Sequence, residues 1–152
     1  VAVLGCVALQ TKAITSSQES IVKTQAQSVM KNLEENIRTN NDARNLYPAQ
    51  VNEFLGVSDA PKNCKTNNCS ATELVNHDVF ISKKYAEEFG LELGMAQCPG
   101  VIADSTFSRQ CIFAAWGETK LRVNNNALDY SECMSSEGIY TSNATCLMME
   151  LY

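Results

Sequence analysis

The N-terminal quarter of the chain admits little besides one long helix. Val1 to Leu9, VAVLGCVAL, is apolar throughout, and from Gln10 to Arg38 there is neither proline nor glycine. Within that stretch Ile14, Ile21, Val22, Ala26, Val29, Met30, Leu33 and Ile37 recur at steps of mostly three and four. Such steps line the residues up on one stripe of a helix. Lys12, Glu19, Lys23, Lys31, Glu34 and Glu35 fall mostly off it. The pattern predicts a continuous helix from about Val1 to Arg38, about 57 Å long at standard rise. Thr39 to Asp42, TNND, supplies the stop, because Asn and Asp tolerate a left-handed cap. A helix of that length exceeds the diameter of a small domain, so part of it protrudes. A protruding helix with an apolar first half needs a membrane or other helices to cover it.

The apolar run covers only about 14 Å, under half of a bilayer core, and does not span a membrane as it stands. It has no initiator Met and no charged n-region, so it is not an intact signal peptide. It reads as the C-terminal half of a membrane helix whose beginning is truncated. The competing reading is a helix end buried in a globular core, and Gly5 fits either.

Cysteine usage is the second constraint. Of seven cysteines, Cys6 sits alone in the apolar run, and Cys64, Cys69, Cys98, Cys111, Cys133 and Cys146 fall in the loop-rich remainder. An even set of this kind reads as disulfides made in an oxidising compartment, although six cysteines allow many pairings. The spacing favours neighbours. Cys98 and Cys111 enclose twelve residues, as do Cys133 and Cys146, and Cys64 and Cys69 flank a tight KTNN turn. The expected bridges are therefore Cys64–Cys69, Cys98–Cys111 and Cys133–Cys146, with Cys6 free. Zinc is the competing use, but structural zinc sites favour paired Cys-x2-4-Cys knuckles. Only Cys64 and Cys69 have that spacing, and His77 is the sole histidine.

Ala43 to Asn68 reads as a polar connector with Pro48 and Pro61, in which Val51 to Val57 forms a short helix or strand. Ser70 to Glu73 has the spacing of a capping box and opens a second helix. Leu74, Val75, Val79, Ile81, Tyr85, Ala86 and Phe89 give that helix a broad apolar face, Gly90 suits its C-terminal cap, and Lys83 to Glu88 reads as a solvated side. Beyond Gly90, residues 91–98, 110–117 and 145–152 read as strands, with Thr119 to Val123 extending the second into a hairpin. Pro99-Gly100, Asn124 to Asn126 and Ser135 to Gly138 are turn chemistry. A three- or four-stranded antiparallel sheet results. Its face of Ile112, Ala114, Trp116, Leu147 and Met149 needs a cover. Val22, Ala26, Val29, Leu33 and Ile37 of the long helix offer one.

No constellation for catalysis stands out. His77 has no partner pattern and reads as an exposed or satisfied residue on a polar-tending helix face. Ser105, Ser108, Ser131, Ser135 and Ser136 lie outside any Gly-x-Ser-x-Gly elbow, and no P-loop or Gly-x-Gly-x-x-Gly occurs. Asp129 and Glu132 lack EF-hand spacing. Asn68-Cys69-Ser70 and Asn143-Ala144-Thr145 fit a glycosylation sequon, a pattern that is usually accidental in a bacterial protein. The net charge is -5 and the lysines form no basic patch, which counts against nucleic acid as a partner. An enzyme is not expected, nor a cofactor or a bound metal.

A truncated apolar helix running into an amphipathic one, a helix-plus-sheet head and C-terminal disulfides together resemble the plan of type IV pilins. Val3 to Ser20 and Lys23 to Asn40 are similar to the N-terminal helix of PilV-type minor pilins, in Leu9-Gln10, in the polar Thr15 to Gln18 stretch and in Arg38-Thr39-Asn40. Cys111 to Trp116 and Cys146 to Tyr152 resemble the family's C-terminal half, whereas residues 43–97 resemble it poorly. The resemblance implies an α+β, type IV pilin-like fold: a long N-terminal helix over 1–40, packed on the small antiparallel sheet of a disulfide-stapled head over 41–152. It implies a non-enzymatic minor pilin that primes type IV pilus assembly and can remain at the tip. Its partners would be other minor pilins, the major pilin and the inner membrane. Val1, Val3, Leu4, Gly5, Val7, Ala8 and Leu9 would form the membrane and subunit interface. The location would be the inner membrane and periplasm before assembly, then a surface pilus. The runners-up are a minor pseudopilin of a type II secretion system and a surface adhesion or DNA-uptake pilin.

Overall fold

The computed structural model describes residues 2–53, 60–101 and 109–152, with side chains from Gln18 onward. Helix α1 runs Ala2–Thr39. Its apolar stripe enters the core at Val22, which is partly buried, and Ala26, Val29, Met30, Leu33 and Ile37 are buried. Gln18 to Ile21 are exposed, so the helix has already left the head there. Glu34, next to Leu33, is also buried. Lys31 and Arg38 hold its two carboxylate oxygens at 2.7 Å each from the same helix.

The expected left-handed cap at the end of α1 is not present. Asn40 has φ -104°, and its side chain holds the chain end instead: Nδ2 donates to the Ala71 carbonyl at 2.9 Å and to the Tyr47 hydroxyl at 3.3 Å. The described part of the polar connector before residue 54 likewise holds more regular structure than its composition suggests. A 3-10 turn, Asn41–Leu46, leads into helix α2, Tyr47–Glu53. Tyr47 and Val51 are fully buried. Pro48 breaks nothing, because it sits in the first turn, where its missing N–H has no intrahelical partner to lose. Of the Val51–Val57 segment, Val51 to Glu53 end α2, and the rest lies outside the described residues.

Helix α3, Ala71–Glu88, starts on a complete capping box: Ser70 Oγ accepts from the Glu73 N–H at 3.2 Å, and Glu73 Oε2 accepts from the Ser70 N–H at 2.8 Å. Gly90 takes φ +67° beyond its end. The buried face is narrower and more polar than expected. Val75, Val79 and Ala86 share it with His77, Asp78 and Ser82, while Tyr85 is exposed.

Strands β1 (Glu92–Gln97), β2 (Gln110–Ala115) and β5 (Cys146–Glu150) form an antiparallel sheet in the order β1-β2-β5. Alternation along each strand sorts the side chains onto two faces. Leu93, Met95, Ile112, Ala114, Leu147 and Met149 face the three helices. Phe113, Ala115, Cys111 and Met148 face the opposite way, under a second layer that sequence reading did not anticipate. That layer is a hairpin of β3 (Arg122–Asn124) and β4 (Ala127–Asp129). Asn125 and Asn126 both adopt positive φ at its turn, the requirement of a type I′ hairpin. Residues 119–123 therefore do not extend β2. Both edges of β2 are already occupied, by β1 and β5, so the segment pairs locally instead.

Candidate functional site

The head carries surfaces rather than a reaction centre. Among the described residues no cluster of His, Cys, Asp and Glu could hold a metal. Ser131, Ser135 and Ser136 are exposed, and Ser105 and Ser108 lie outside the described residues. His77 is buried in α3, against the expectation of a polar-tending face, because its turn also carries the core residues Val75 and Val79. A pocket between α2 and the β3–β4 hairpin is lined by Ala49, Asn52, Glu53, Val123 and Asn126, which include no histidine, serine or cysteine. Asp129 and Glu132 are already engaged. Asp129 Oδ1 accepts from the Ser131 N–H at 3.0 Å, and Glu132 pairs with Arg122 at 2.6 Å.

The titrating groups that are perturbed serve the core. Burial raises the Tyr47 hydroxyl and the Asp78 carboxyl above their ordinary ranges, and Tyr47 donates to Asp78 Oδ2 at 2.7 Å. This pair ties the start of α2 to α3, with Asn40 adding the end of α1. Burial also lowers the Lys83 ammonium to about 8, opposed by Glu92, so Lys83 is not part of a fully solvated face.

The six head cysteines form three bridges, Cys64–Cys69, Cys98–Cys111 and Cys133–Cys146. Cys98, Cys111, Cys133 and Cys146 are buried in the second layer. The two longer disulfide loops also dock on one another: the Gly100 N–H donates to the Ser136 carbonyl at 2.8 Å. Their turn residues were readable in sequence, but the contact between such distant turns was not. Val3, Leu4, Gly5, Cys6, Val7, Ala8 and Leu9 lie on the α1 backbone, and their side chains, like Val1 altogether, fall outside the described residues. Val22, Ala26, Val29, Leu33 and Ile37 meet at the helix–sheet junction, and Met30 belongs with them. Among the described residues no helix is long and apolar enough to cross a membrane.

A helix that outruns its head, a helix-covered antiparallel sheet and stapled C-terminal loops define the architecture. Residues 8–80 match the family model described as Tt1218-like, type IV pilin Tt1218. The fold is type IV pilin-like. The match covers most of α1, all of α2 and the first half of α3, and stops before the sheet. No curated protein and no solved structure matches the chain significantly. Type IV pilins are structural subunits, not enzymes, and they assemble with other pilins into a pilus at the cell surface. The match speaks for a pilin and does not single out the PilV type.

Proposed function

We propose that this type IV pilin-like chain is a minor pilin, a non-enzymatic subunit that primes pilus assembly and sits at the pilus tip. The observation that carries the pilin part is the junction on α1: the stripe from Val22 to Ile37 is covered by the head, while Gln18 to Ile21 stand clear of it. We read the chain as a helix over 1–40 that anchors and a head over 41–152 that presents a surface. Val1, Val3, Leu4, Val7 and Leu9 are too apolar to rest in water on such a helix. They contact the inner membrane before assembly and neighbouring helices after it. Gly5 and Ala8 are small enough for the close helix packing that lipid favours. The minor-pilin part is supported by the PilV-type resemblance of Val3 to Asn40 and of Cys111 to Trp116.

The test is deletion of the gene. Loss or sharp reduction of surface pili and twitching is expected, restored by the intact chain and by Ser131→Ala or Ser136→Ala. Normal piliation in the deletion strain would sink the reading. Loss of protein secretion with pili intact would indicate a pseudopilin, and loss of surface adhesion or DNA uptake alone would indicate the third reading. His77→Ala should also retain piliation. Because His77 is buried, its thermal melting has to be measured alongside.

A further inference from the structure

One of the three bridges is built unlike the other two. Cys98–Cys111 and Cys133–Cys146 lie buried in the second layer. Cys64–Cys69 closes a surface loop in which Lys65, Thr66, Asn67 and Asn68 are all exposed, and its two cysteines are half-buried. A small thiol can reach this bridge without opening the head.

The loop does not need the bridge to keep its shape. Asn63 gathers it: its carbonyl accepts from the Asn67 N–H at 3.1 Å and from Asn67 Nδ2 at 2.9 Å, and its Oδ1 accepts from the Lys65 N–H at 2.9 Å. These bonds keep Cys64 and Cys69, 5.6 Å apart between Cα atoms, close together when the sulfurs part.

The two sulfurs have opposite surroundings. Cys64 Sγ lies 3.6 Å from the Lys62 carbonyl oxygen and 3.7 Å from that of Glu73. Two carbonyl oxygens repel a thiolate and accept a hydrogen bond from a thiol. Cys69 directly precedes Ser70, the N-cap of α3. The contact of Cys64 with Glu73 lays the bridge against the first turn of that helix. The Ala71 and Thr72 N–H groups in that turn have no intrahelical acceptor. The positive end of the helix dipole favours a thiolate beside it. The Glu73 carboxylate would oppose this, but it is paired with Lys62 at 3.1 Å.

We infer that Cys64–Cys69 is a reversible exchange site for low-molecular-weight thiols, with Cys64 the sulfur attacked and Cys69 the leaving group. The better-stabilised thiolate leaves faster in thiol–disulfide exchange. The incoming thiolate gives an electron pair to Cys64 Sγ, the S–S bond breaks, and its electron pair departs on Cys69 Sγ. One disulfide is traded for another, so the step consumes no further oxidant or reductant. The product carries the small thiol on Cys64 and a thiolate on Cys69. Because the loop holds the pair together, Cys69 expels the adduct and restores the bridge once the small thiol is withdrawn. This chemistry stands apart from the pilin reading.

The test pulses the full, folded chain with glutathione and quenches it with iodoacetamide. Trypsin then cuts after Lys65 and separates the two cysteines for mass spectrometry. Glutathione on Cys64 with a carbamidomethyl group on Cys69 should exceed the reverse pattern by roughly tenfold. In the chain reduced at this bridge alone, alkylation of Cys69 should reach its midpoint at a lower pH than that of Cys64. Removing glutathione without the quench should return the Cys64–Cys69 bridge. Equal or reversed labelling, or a Cys69 midpoint at or above that of Cys64, would overturn the assigned roles. Adducts that form first on Cys98, Cys111, Cys133 or Cys146, or that persist after glutathione is removed, would overturn the exchange site itself.

Discussion

Asn52 grips Met95 from the side, its carboxamide replacing a neighbouring strand. One donor and one acceptor of β1 are satisfied by a single side chain on α2. Both are buried, so removing the amide leaves two backbone groups without partners. Asn52→Ala should therefore cost about 2–4 kcal/mol, from unsatisfied groups at roughly 1–3 kcal/mol each with some relaxation. Asn52→Asp should be no rescue, because a carboxylate faces the Met95 carbonyl without a proton to offer. Urea unfolding of the three proteins decides this, and an Asn52→Ala loss under about 0.5 kcal/mol would contradict it.

The α1 stripe predicts a sharp gradient along one helix. Leu33 is 0% exposed and Ile21 57%. Leu33→Ala should cost about 2–5 kcal/mol, the range for a buried Leu truncation. Ile21→Ala should stay within about 0.5 kcal/mol in the isolated chain. Comparable losses at both positions would mean that the helix is packed along its length.

Features that depend on near neighbours could be read from sequence, and features that depend on distant partners could not. The helix period of α1, the Ser70–Glu73 box and the bridging of adjacent cysteines are all local. Tyr47 sits in a polar stretch, and it can be buried because Asp78, 31 positions away, accepts a hydrogen bond from its hydroxyl. No local signal marks such a residue. Residues 119–123 alternate like an extension of β2, but strand pairing depends on which edges are free, and β1 and β5 had taken both. The sheet's second cover was missed for the same reason. Leu128 and Tyr130 look like ordinary loop hydrophobics until Gly94 and Phe113 are seen beneath them.

Asp78 is a buried carboxyl whose folded pKa lies above its ordinary value, mainly through desolvation. The folded state therefore holds its proton more tightly than the unfolded state. Stability from this group is full below the ordinary carboxylate range and declines as pH rises toward the folded pKa. Asp78→Asn keeps an acceptor for Tyr47 and does not titrate. Its stability relative to the parent should improve on going from pH 4 to pH 7, as read by thermal melting at both. A relative gain on acidification would reverse the sign and reject the assignment.

The three bridges should differ in both worth and access. Cys64–Cys69 spans a sequence separation of 5, the other two 13 each. In the chain-entropy argument the longer loops are worth about 3 kcal/mol and the short one about 2 kcal/mol. Cys64 and Cys69 are half-buried, and the other four are buried. Mild reductant followed by alkylation and mass spectrometry should label Cys64 and Cys69 first, with little loss of fold. Labelling that begins at Cys133 or Cys146 would show that the second layer opens before the exposed loop.

Gly94 is where the two layers touch most closely. A Cβ built there would stand 2.6 Å from both Leu128 δ-carbons, well inside contact distance. Gly94 occupies the β1 position opposite Phe113, so a side chain would push into the gap that Leu128 fills. Leu128 can turn away, but only by giving up its place over the sheet. Gly94→Ala should then cost about 1–3 kcal/mol, the range for inserting a methyl into a packed site. Leu128→Ala alone opens a void in the same place. The two defects are complementary in shape, so the double variant should be more stable than the sum of the single losses predicts, by about 0.5–1.5 kcal/mol. Chemical unfolding of the four proteins gives that coupling directly. Strict additivity would mean that the β3–β4 hairpin does not rest on β1 in solution.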